Sequence, residues 1–201
     1  DPDLIIFFHA INDLITSFTE PPFSSRPFRR DYGHFYGALA HLRYPKSFEQ
    51  ILAGFFYADL MRTRTTPAPF SDFKSQHSFR RNLETMIEIA QSRRIHVIRA
   101  ILPHCFSARN DSDPGFLIFR NDFLIDEGHY ADEQSWYNGM ELFNGITGET
   151  AVRHAVPLVD QAAVCNGRKE LFSDSVHMNA EGTARQARLF FEKIVELHLL
   201  E

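Results

Sequence analysis

The 201-residue chain is 44% hydrophobic and 23% charged, a balance that supports one domain, 1–201, with a real core. Its net charge of −5 and pI near 6.1 lack the basic footprint of a nucleic-acid binder, and no run of about 18 apolar residues exists to cross a membrane as a helix. Cys105 and Cys165 have no metal-ligand spacing and read as buried free thiols, and the ten histidines form neither His-x-His nor His-Glu-x-x-His, so neither a metal nor another cofactor is expected.

The first residue is Asp1, not Met, which suits a processed product or a fragment, and the compartment leans to secreted or periplasmic. Leu4-Ile-Ile-Phe-Phe-His9 is a continuous apolar run of strand length, as expected for a central parallel strand covered on both faces. Asn12 and Asp13 follow its C-terminal end and read locally as a turn or helix cap. His9 reads as a core histidine or one that supports a site.

Residues 20–33, with Pro21, Pro22, Pro27 and the cluster Arg26, Arg29, Arg30, predict an irregular loop. Tyr32 to Arg64 reads as two helices broken near Pro45. About half of the aromatic residues fall between 21 and 80, and residues 21–81 hold ten Lys and Arg against four Asp and Glu. Such a segment suits either an ordinary helical layer with solvated charges or an inserted cap over 21–78, with Phe35 and Phe55 lining a substrate pocket. Thr63 to Ser71 reads as a return linker.

Phe79, Leu83, Met86, Ile87 and Ala90 predict an amphipathic helix entered at Ser75 or Ser78. Ile95 to Leu102 predicts a strand, ended by Pro103, which puts His104 and Cys105 near the mouth of any site at that end. Residues 106–132 read as loop, and Trp136 to Phe143 and Thr150 to His154 as separate helical pieces. Ala155 to Asp160 predicts a third strand. Helix and strand in alternation imply right-handed crossovers, a parallel sheet and a three-layer α/β/α sandwich. With Cys105 and Cys165 each just past one of two adjacent strands, the thiols are expected near one another, close enough that a disulfide is an open alternative.

The most informative stretch is Leu171 to Thr183. Asp174 and His177 lie three residues apart, so one tight turn can aim the carboxylate at Nδ1 and leave Nε2 as the base. The same spacing at Asp31/His34 and Asp126/His129 reads as exposed pairs. Only the third copy runs into Asn179, a plausible N-cap, and a helix with apolar residues at Ala184, Ala187, Phe191, Ile194, Val195 and Leu199. The loop 161–178 therefore leaves the C-terminal end of a strand, where open α/β sheets build their sites.

Asp174-x-x-His177-x-Asn179-x-x-Gly182 before a closing helix resembles the last sequence block of the SGNH/GDSL hydrolases. Asp3-Leu-Ile-Ile-Phe-Phe-His-Ala10-Ile-Asn12-Asp13-Leu14 resembles that family's strand and Gly-x-Asn-Asp segment, with Ala10 where the family usually has Gly. The two blocks come in the family's order. The resemblance implies a flavodoxin-like parallel sheet, a serine esterase or acylhydrolase activity without cofactor, His177 as general base, Asp174 as its orienter and Asn12 as the oxyanion-hole donor. Asp13 and His104 join Phe35 and Phe55 as further candidates for contact with an ester substrate.

No Gly-Asp-Ser and no Gly-x-Ser-x-Gly occurs. Ser173 and Ser175 flank Asp174 and cannot easily face His177 while Asp174 does. In family order the strand starting at Asp3 is the third, so the serine and glycine blocks are expected upstream, in a missing N-terminal segment or a chain that supplies it. That segment would also pair with the apolar 4–9 edge. The competing reading is a catalytically inactive SGNH-like module that binds a ligand or partner.

Overall fold

The computed structural model describes residues 2–15, 17–18, 65–113, 116–117, 125–126 and 128–199. The two helices expected over Tyr32–Arg64, Phe35, Phe55 and the Asp31/His34 pair lie outside them. The elements in chain order are β1 (Leu4–Phe7), α1 (Ile11–Ile15), β2 (Thr66–Ala68), α2 (Gln76–Ser92), β3 (His96–Ile101), β4 (His129–Ala131), α3 (Glu133–Arg153), β5 (Leu158–Asp160), α4 (Ala162–Cys165), a 3-10 turn (Lys169–Leu171) and α5 (Ala180–Glu196).

The three apolar runs become one parallel sheet in the order β1-β3-β5, with Phe7 opposite Arg99 and Arg99 opposite Leu158. The alternation of side chains along each strand divides its contacts between two faces. Val97, with Ile5 and Phe7, packs against Ile87 and Ala90 of α2, while Ile98, Ala100 and Val159 pack with Leu189, Phe190 and Ile194 of α5. Helices on both faces of a parallel sheet make the fold a three-layer α/β sandwich. Among the described residues β1 is an edge strand, and Ile6 on it is 38% exposed.

Helix α2 buries Phe79, Leu83, Ile87 and Ala90 as its spacing predicts. Ser75 stands at its N-cap but does not cap by side chain. Its hydroxyl donates to the Asp13 carbonyl and its N–H to Ser17 Oγ, which ties α2 to α1. Helix α3 is one continuous element of 21 residues where two pieces were expected. Asp132 caps it by accepting from Ser135 N–H at 2.8 Å. Burial of Trp136, Met140, Phe143, Ile146 and Ala151 along one face offsets the roughly 1 kcal/mol that each interior glycine costs. Gly139 also has a packing role, since a Cβ there would meet Leu14 and Phe73.

Two further readings change. The segments taken as linker and loop contribute β2 and β4, which pair in parallel with Thr66 opposite His129, and the 161–178 loop contains α4 and the 3-10 turn. On α5 the stripe that meets the sheet is Leu189, Phe190, Ile194 and Leu197, whereas Phe191 and Val195 are 59% and 47% exposed. The helix is apolar on two faces, so the spacing alone did not select the packed one.

Candidate active site

The Asp174 loop is closed by its own backbone. Phe172 and Met178 pair antiparallel, Ser173 N–H donates to the His177 carbonyl at 2.7 Å, and Asn179 N–H donates to the Leu171 carbonyl at 3.0 Å. Asn179 then caps α5 by accepting from Gly182 N–H at 3.0 Å, and its Nδ2 donates to the Glu170 carbonyl at 2.7 Å. Gly182 is required sterically: a Cβ there would fall inside contact distance of the Leu171 carbonyl oxygen. Asn179 and Gly182 are therefore the parts that weld the loop to the helix.

Inside this loop Asp174 is buried and saturated with donors. Oδ1 accepts the N–H groups of Val176 and His177, each at 2.9 Å, and Oδ2 accepts from His177 Nδ1 at 2.8 Å. The carboxylate side chain is 7% exposed and the imidazole 63%. A carboxylate that can only accept requires the proton on Nδ1, which leaves the lone pair on Nε2. The loop is in turn held to the end of β3, because Cys105 N–H donates to the Ser175 carbonyl at 2.8 Å and Ser175 N–H to the Phe116 carbonyl at 3.1 Å. Ser175 itself is buried, and its Oγ has no partner among the described residues.

A cleft of about 290 Å³ lies beyond the C-terminal ends of β1 and β3. Its wall combines Phe8, His9, Ala10, Ile11 and Asn12 after β1, Leu102 and Pro103 after β3, Val176, His177 and Met178 of the loop, and Thr183 and Gln186 of α5. The fold thus brings Asn12 and His177 to one cavity. Asn12 sits in the first turn of α1, exposed, while Ala10 before it is 1% exposed. His9 is exposed and lines the cleft instead of entering the core, because β1 stops at Phe7.

Asp13 and His104 are not among the cleft-lining residues. Asp13 points its backbone carbonyl at Ser75, and its charge favours the ionised form of the buried Arg99, whose pKa burial lowers to about 10. His104 is 1% exposed and turns towards α3, with Nε2 3.1 Å from Glu141 Oε1 and Tyr137 edge-on to its ring. Burial lowers its pKa, against the hydrogen bond and charge of Glu141. Beneath the loop, Cys105 and Cys165 share a buried cluster with Leu171 and Phe172 and are both free, so the disulfide alternative falls. Burial pushes the Cys105 thiol up to about 11, opposed by a Gly167 N–H and by Lys169. The Asp126/His129 pair is exposed, at 2.8 Å, and a Gly128 N–H, then His129, holds the Asp126 carboxyl below its usual range.

Sequence reading alone passed over the cleft wall of Leu102, Pro103, Met178, Thr183 and Gln186. A signal for Gln186 existed: it is a polar residue at an inward position of α5, one turn after Gly182. No helix of the described residues is long and apolar enough to cross a membrane.

No protein-family model matches the chain, and no curated protein matches it. Among solved structures, a lipase/acylhydrolase from Enterococcus faecalis is similar at 22% identity and a TM-score of 0.41, over 59% of this chain and 51% of that one. The chain spans about half the length of that protein.

Proposed function

We propose that the chain carries the base and oxyanion parts of a serine ester hydrolase of the SGNH/GDSL type. His177 is the general base, Asp174 orients it, and Asn12 donates to the oxyanion. The observation that carries this reading is the meeting of two distant sequence blocks, Asn12 after β1 and the hydrogen-bonded Asp174–His177 pair before α5, on one cleft beyond the C-terminal ends of parallel strands. The nucleophilic serine comes from an upstream segment of the intact protein or from a chain supplying it, and that segment pairs with the β1 edge. Once aligned, His177 Nε2 takes the serine proton during attack on the ester carbonyl and returns it to the leaving alcohol.

Hydrolysis of p-nitrophenyl acetate and butyrate tests the assignment. The 201-residue chain alone is inactive, and the chain joined to its upstream segment is active. In that intact protein His177→Ala removes nearly all turnover, and Asn12→Ala lowers kcat about a hundredfold or more with KM nearly unchanged, because the amide bond strengthens in the transition state. Activity of the isolated chain that survives His177→Ala would sink the proposal.

A further inference from the structure

We infer that Gln186 is a specificity-determining residue that selects esters whose alcohol part carries a neighbouring hydroxyl. The inference rests on the proposed reading of the cleft as an ester site. Along α5 the inward stripe Leu189, Phe190, Ile194 and Leu197 is apolar. Gln186, one turn nearer the cleft, breaks it and lines the cleft together with Thr183, three residues away on the same helix face.

Gln186 is held in place. Its Nε2 donates to Gln161 Oε1 at 2.7 Å, and Gln161, just past β5, is 0% exposed. Gln161 Nε2 is also buried and has no hydrogen-bond partner among the described residues. A buried Gln161 amide with an unmet N–H is less stable than an apolar side chain of the same shape, so packing alone gives no reason for it. The pair does have a use at the cleft, where it fixes the Gln186 amide against the wall. A hydroxyl both donates and accepts, so it can bond that amide in either of its two orientations.

The position of the pair says which part of the ester it meets. The general base returns its proton to the leaving alcohol, so groups on the His177 side of the cleft face the alcohol, and α5 begins three residues after His177. Phe8, Ile11, Leu102 and Pro103 offer apolar surface for hydrocarbon.

The test compares methyl acetate with 2-hydroxyethyl acetate by chemical-shift titration of the 15N-labelled chain, with no dependence on turnover. The hydroxylated ester binds about three- to tenfold tighter, the worth of one neutral hydrogen bond. Gln186→Met, of similar length, brings the two within about twofold, chiefly by weakening the hydroxylated ester. Gln186→Glu keeps the preference, because the Gln161 amide can turn over to present its Nε2–H to the carboxylate, which also accepts from the hydroxyl, and it serves as the folded control if the Met variant misfolds. Equal affinities in the parent chain, no binding of either ester, or a preference that survives Gln186→Met overturns the inference. A preference shown by the 201-residue chain together with no hydrolysis by the intact protein refutes the esterase reading and leaves the Gln186 site standing.

Discussion

The Asp174 carboxylate accepts from three donors, the His177 Nδ1–H and two backbone N–H groups of the same loop. Asp174→Asn keeps an oxygen for the two N–H groups, so the loop survives. It also turns an amide N–H2 towards Nδ1, which then must accept, and the basic nitrogen is moved to the wrong side of the ring. On the proposed esterase reading, the expected loss in kcat of the intact protein is on the order of 10⁴-fold, read from p-nitrophenyl acetate turnover, with little change in the thermal midpoint. Gly182 carries a different kind of constraint. The atom its Cβ would strike is a backbone oxygen that also accepts from Asn179, so it cannot step aside as a flexible side chain would. Gly182→Ala should cost about 3 kcal/mol in urea unfolding, at the upper end of overpacking effects, and loosen the Asp174 loop.

At the scale of the element, the glycines of α3 separate into two classes. A Cβ at Gly139 would meet Leu14 Cδ1 at 2.5 Å and Phe73 at 3.0 Å, so the glycine lets α1 lie against α3. At Gly145 nothing lies within 4 Å and the position is exposed, so only the backbone entropy cost remains. Gly145→Ala is expected to stabilise the protein by about 1 kcal/mol, and Gly139→Ala to destabilise it, as chemical denaturation of the two variants side by side will measure. The same element explains why two helical pieces were read where one exists. Three glycines weaken the local signal, and the burial that overrides them comes from α1, α2 and β3, which are distant in sequence.

For the whole molecule, the buried His104 couples stability to pH. Its folded-state pKa is lowered, first by burial, so below the unfolded value of about 6.5 the unfolded chain binds more protons than the folded one. Stability is therefore full above about pH 6.5 and falls as the pH drops, until His104 is protonated in the folded state as well. Urea midpoints between pH 8 and pH 5 should fall for the parent chain and fall less for His104→Gln. The same midpoints unchanged by that substitution would remove His104 from the acid response. The packing of this residue against α3 also shows why nearness to a strand end did not put it in the cleft: the chain after β3 turns inwards, and the wall there is made by Leu102 and Pro103.

Sequence by itself determined the strands of the main sheet, the helix after Ser75, the closing helix with its Asn179 cap and the Asp174–His177 hydrogen bond, because each depends on residues within a few positions of one another. A continuous apolar run, a 3.6-residue stripe and an Asp-x-x-His turn carry their reason locally. Tertiary structure decided the rest. It paired β2 with β4, whose partners Thr66 and His129 are far apart in sequence, and it chose which of two apolar faces of α5 meets the sheet. It also turned His104 inwards and His9 outwards, and it brought Asn12, His177 and Gln186 to one cavity. These outcomes depend on which surfaces meet once the sheet has formed, and burial against a distant partner is a free energy that no local pattern contains.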